Sequence, residues 1–189
     1  MKRHLSHQTK RFLVSLHVLC AIGWIGSVLI VLFLLETRKS EPTTYSYLIA
    51  NICKQIDDQL IIPFAILSLL TGLVLCVITS WGFVRHWWIV VKGVMTMSFI
   101  TFGTIALGPW LNQSAAIATN AGLHPSLNPQ SGAASQTYAR LAELLSIGVP
   151  IQLFLLLFVV VISYVKPWGT TPWYQRRTSD ASSGLRERN

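Results

Sequence analysis

Two side chains stand where an ionisable group is expensive: His17 and Lys92 each lie inside a long apolar run. A charge at mid-bilayer costs at least about 2.5 kcal/mol on insertion scales, so a chain that keeps such groups there marks them as functional candidates. One is an imidazole able to hydrogen-bond across helices, the other an ammonium able to pair with an anion. The thiols of Cys20 and Cys76 and the phenol of Tyr164 are the other ionisable groups within such runs. With no carboxylate there, a Ser-His-Asp set cannot be assembled inside the membrane, and the sequence has neither a zinc motif of the HExxH type nor a phosphate-binding glycine loop. The cysteines, Cys20, Cys53 and Cys76, form no CxxC pair and read as inert thiols.

Helical spacing gives both candidates neighbours. Steps of three and four put Cys20, Trp24 and Ser27 on the face of His17, with Gly23 alongside to let another helix approach. The same steps align Lys92 with Thr96, Phe99, Gly103 and Ala106, while Ser68, Thr71, Gly72, Cys76 and Thr79 make a small, polar stripe on a third helix. Turned toward one another, the three stripes define a central site. His17 and Lys92 each lie five residues into their runs, about 7 Å deep at 1.5 Å per residue, and are expected level with one another. Plainer readings stand beside this one. Lys92 can snorkel to the headgroups, His17 can serve as interhelical glue, and the small residues can be packing surface.

The elements that position these residues follow from composition. The chain of 189 residues is 52% hydrophobic and only 12% charged, with a mean hydropathy of +0.52. Four apolar runs, 12–35, 60–80, 87–110 and 144–165, have the length of about 20 residues that a bilayer core requires. Hydrocarbon offers backbone groups no partner, so each run is expected to be an α-helix and the fold an all-α, integral membrane four-helix bundle. The first run is longer than a secretory signal core and ends at Glu36 without a small-residue cleavage pattern, so it counts as a span.

The net charge of +8 reflects basic residues gathered beside span ends, not a nucleic-acid stripe. With the N-terminus in the cytoplasm, eleven of the 15 Lys and Arg residues fall inside, leaving Arg38, Lys39, Lys54 and Arg140 outside. Both termini are therefore expected in the cytoplasm. The expected organisation is a basic N-terminus over 1–11, an outer loop with an interfacial helix over 36–59, a short cytoplasmic hairpin near 81–86, an outer loop over 111–143 and a cytoplasmic tail over 166–189, disordered at its end. Residues 112–120 read as a prolongation of the third helix.

Leu16-His17 with Trp24, Pro63 with Thr71-Gly72-Leu73, and Trp87-Trp88 with Lys92 resemble the pattern of the bacterial four-helix membrane protoporphyrinogen oxidases. Copper-resistance D membrane domains and a group of bacterial membrane proteins of uncharacterised function share that pattern. The resemblance covers roughly residues 12 to 110. It implies haem or porphyrin held by His17 and Lys92, with Trp24 beside them: the imidazole as an iron ligand, the lysine paired with a propionate or, once deprotonated, as a second ligand. The oxidases carry further aromatic, histidine and arginine residues just past the first span, where this chain has Phe33-Leu34-Leu35-Glu36-Thr37. The Lys166-Pro167-Trp168-Gly169 ending looks more like the uncharacterised group, for which only a fold is implied.

The expected function is a haem- or porphyrin-binding redox protein of the bacterial plasma (inner) membrane, its partners being the bilayer and a second copy or a membrane redox protein, with no nucleic acid. Two alternatives stay open. Cys20, Cys76, Met95 and Met97 offer soft ligands for transport of copper(I), or the bundle passes another small solute. Alternatively the protein is a noncatalytic membrane component that binds a partner through its tail or outer loop.

Overall fold

The computed structural model describes residues 7–38, 43–78, 87–123 and 133–165, and every one of them is helical. The elements are α1 (His7–Arg38), α2 (Thr43–Ile56), α3 (Ile62–Ile78), α4 (Trp87–Phe102), α5 (Gly108–Leu123) and α6 (Ala133–Val165). α2 passes into α3 through Asp57–Ile61, and α4 into α5 through Gly103–Leu107, without a break in the helix. The result is four rods, each long and apolar enough to cross a membrane. Their surfaces match: Phe33, Val77, Ile105 and Phe154 are between 69 and 72% exposed, which suits an apolar surrounding.

Both joints are widened turns, and both have the same cause. The Ile62 N–H reaches back to the Asp57 carbonyl and the Gly108 N–H to that of Gly103, five residues instead of four. Two residues after each joint stands a proline, Pro63 or Pro109. A proline inside a helix has no N–H to donate, and its ring collides with the carbonyl four residues back. Widening the turn ahead of each proline relieves that crowding, the amide just before the proline reaching one carbonyl further back. Gly108 suits its joint, because a Cβ there would stand 3.1 Å from the Gly103 carbonyl oxygen. Pro150 lies within α6 with no such adjustment.

The rods outrun the apolar runs. Of the loop expected over 36–59, residues 43–56 are helix continuous with α3, so the interfacial piece does not lie apart. Of the loop expected over 111–143, residues 111–123 belong to α5 and 133–143 to α6. The physical reason is mutual cover. Ile49, Ala50 and Cys53 of α2 and Leu111, Ala115 and Ala118 of α5 are buried, and α2 packs along α5, which supplies the tertiary support that helices of modest apolarity require. The N-terminal residues 1–6, the hairpin 79–86, residues 124–132 and the tail from 166 lie outside the described residues.

α1 packs on α3, α6 and α2, while α6 packs on α5 and α4. The main core joins Trp24, Val28, Val31 and Leu35 of α1 to Leu145, Val149, Leu153 and Leu156 of α6. At the upper end, where α1 stops and α2 begins, the second and third rods lie close through α2 and α5. At the lower end α3 leans on α1 and α4 on α6, and α3 and α4 do not pack closely on each other. The rods thus part below the two joints. A smaller cluster of Trp88, Ile89 and Ile162, bordered by Cys76 and Met95, occupies the lower end.

Glycines mark the tight approaches. A Cβ at Gly148 would fall 2.8 Å from Leu107 Cδ2, whereas at Gly26 it would meet nothing within 4 Å. Gly148→Leu is expected to cost about 1–3 kcal/mol through overpacking, and Gly26→Ala to be neutral or stabilising by up to about 1 kcal/mol; thermal unfolding in detergent measures both.

Candidate functional site

His17 points from α1 into α3. Its Nδ1 lies 3.0 Å from the Ser68 carbonyl oxygen and 3.0 Å from Thr71 Oγ1. A carbonyl can only accept, so Nδ1 carries the proton in this bond. The Thr71 hydroxyl directs its own hydrogen to the Leu67 or Ser68 carbonyl, at 2.7 and 3.1 Å, leaving its oxygen to accept from Nδ1 as a second arm. The arrangement fixes the ring's tautomer and orientation and leaves Nε2 as the nitrogen with a lone pair to offer when the ring is neutral.

The sequence supplies the room for this. Ser68 and Thr71 are buried, at 6 and 9% exposure, and Gly72 is the floor on which the imidazole rests: a Cβ there would approach His17 Cε1 to 3.2 Å. One and a half turns along α1, Gly23 admits the ring of Phe64, 2.8 Å from where its Cβ would be. The small, polar stripe of α3 therefore meets the His17 face of α1, with Thr79 outside the described residues.

Lys92 enters from α4, and its charge bears on the imidazole of His17 and on the thiol of Cys76. His17 meets α3 at 68–72, and Cys76, the other group in electrostatic reach of Lys92, lies about a turn further on. Trp24, two turns above His17, is packed in the main core at 4% exposure, and its indole N–H has no hydrogen-bond partner among the described residues. Phe99 is likewise core. Cys20 is buried. A groove along Gly93, Val94, Met97, Thr101 and Ile105 runs on the face of α4 turned away from Lys92 and belongs to no polar cluster.

No family model, curated protein or solved structure matches this chain. The site therefore rests on its own geometry. Among the described residues no three His, Cys, Asp or Glu side chains stand together as a metal-ion cage. What the site offers is one oriented imidazole and one cation in its electrostatic reach.

Two features escape the sequence. Ser68 acts through its backbone carbonyl, which no residue type announces. Asp57 sits on the first joint with its carboxylate 3.9 Å from where a Cβ of Gly108 would be, so the two joints lie against each other.

Nitrogen-15 NMR of ring-labelled histidine, with His17 assigned by its loss in His17→Gln, is expected to show Nδ1 protonated and hydrogen-bonded. Gly72→Val should displace the ring, abolish that signature and cost about 1–3 kcal/mol of stability.

Proposed function

We propose that this chain is a multi-pass protein of the bacterial plasma membrane, with both termini in the cytoplasm, that binds a haem or porphyrin beside His17 and Lys92 and serves a redox reaction. The observation that supports it is the Nδ1–H tautomer imposed by the Ser68 carbonyl, at 3.0 Å. Histidines that ligate metals are held this way, their second nitrogen donating to a backbone carbonyl or carboxylate. The resemblance to the membrane protoporphyrinogen oxidases points the same way, and kinship with that group is part of the proposal. The site residues fit the group in type. His17 Nε2 would be the iron ligand, Lys92 would pair with a propionate or ligate, and the parting of α3 from α4 would admit a flat, apolar body. When bound, haem would supply one-electron chemistry. The chain's own residues hold His17 in one orientation, place a cation nearby and keep the surroundings apolar.

The basic residues support the orientation, since the eleven on the proposed cytoplasmic side would otherwise have to be exported. The copper reading has one observation in its favour, that Cys76 and Met95 border the same cluster, but Met97 lies on the other face of α4, where it is 52% exposed.

Protein purified in mild detergent after expression with haem is expected to show a stoichiometric Soret band that shifts on reduction and is lost in His17→Ala. A colourless yet helical wild-type protein would remove the haem proposal. Reporter fusions at both termini should read as cytoplasmic; a terminal reporter active only outside would overturn the orientation.

A further inference from the structure

At the upper end, away from His17, the structure buries a cation. Arg38 is the last residue of α1 and is only 6% exposed. Its guanidinium carbon lies 5.5 Å from the ring centre of Tyr138 on α6, a ring braced edge-on by Tyr47 of α2 at 5.2 Å. The Tyr138 hydroxyl donates to the Ser46 carbonyl at 3.0 Å, and Ser46 Oγ donates to the Arg38 carbonyl at 3.3 Å. Phenol, serine and main chain are thus committed to one another. Arg38 Nη1 has no hydrogen-bond partner among the described residues.

A guanidinium cannot escape this position by losing its proton. A buried charge with an idle donor is costly, and the Tyr138 ring offsets only part of that cost. Around it stand more donors. Ser46 belongs to the first turn of α2, whose leading amides have no acceptor within their own helix, and neither α2 nor α6 has an acidic residue in its first turn. Donors gather here, and Arg38 Nη1 lacks an acceptor among the described residues. An oxyanion supplies one, and the planar fork of arginine suits carboxylate and phosphate alike.

We infer that Arg38, with Tyr138 and the first turn of α2, forms a binding site at the upper end of the bundle for a small carboxylate or phosphate anion. The site is independent of the haem proposal. In the proposed orientation it faces the outside of the cell membrane.

The test uses the full chain in neutral detergent, with its melting temperature followed as inorganic phosphate replaces chloride at constant ionic strength. A saturable rise of several degrees is expected in the wild type and in Glu41→Gln, absent in Arg38→Met. Should Arg38→Met not fold, Arg38→Lys replaces the fork by a point charge and is expected to need at least tenfold more phosphate. Persistence of the response with phosphatidylglycerol present assigns the site to a soluble anion, and loss by competition assigns it to a lipid headgroup. No saturable rise in the wild type, an equal rise in Arg38→Met, or a rise seen only in Glu41→Gln, which would make Glu41 the resident anion, overturns the proposal.

Discussion

An amide in an apolar surrounding must find its partner within the chain, and that requirement governs this molecule. Every described residue answers it by being helical. The two joints answer it where Pro63 and Pro109 withhold a donor, since the five-residue reach of Ile62 and Gly108 re-routes the ladder without breaking it. The joints lie against each other, at Asp57 and Gly108, so both turns widen at one level. Close packing of α2 on α5 above, and separation of α3 from α4 below, are two sides of the same local accommodation.

That separation leaves an unusual division of labour in the lower half. α1 and α6 form the spine, with the main apolar core between them, while α3 and α4 each lean on one side of it. Polar atoms on the facing sides must then be satisfied between the spine and the helices that lean on it. His17 does so by donating to the backbone of α3, and Gly72 is small enough to let the ring come down to that backbone. Lys92 contributes charge from the opposite wall. A polar site among such apolar surfaces depends on few contacts, each of which counts for more than it would in water.

The all-helical architecture and its four rods were legible because apolar runs of bilayer length leave little choice of fold. The length of the rods was legible only in part, through the prolongation over 112–120 and the helix within 36–59, whose continuity with α3 was not foreseen. Hydropathy reports where a helix is apolar, not where it ends, and residues 43–56 and 111–123 are helical through cover that each gives the other. The prolines were visible at 63 and 109, but an interior proline reads equally as a break, a kink or a widened turn until the surrounding packing decides. Periodicity brought Ser68, Thr71 and Gly72 onto one stripe and His17 onto a facing one. It could not single out the Ser68 carbonyl, which depends on the register between α1 and α3. The burial of Arg38 was not legible, because its cover, Tyr138, comes from a helix a hundred residues later in the chain.

The reliance of α4 on α6 also bears on how the protein is made. α1, α2 and α3 are synthesised first and hold contacts with one another, whereas α4 has its main support from a helix that ends at Val165. At the usual rate of about 5–20 residues per second, about three to about thirteen seconds separate the completion of α4 from that of α6. In the proposed membrane, α4 spends that interval with lipid along most of its length, and its polar side chains Lys92 and Thr96 wait beside an incomplete bundle. Assembly therefore closes from the C-terminus, and truncation within the last helix removes not one wall of the structure but the neighbour that two others need.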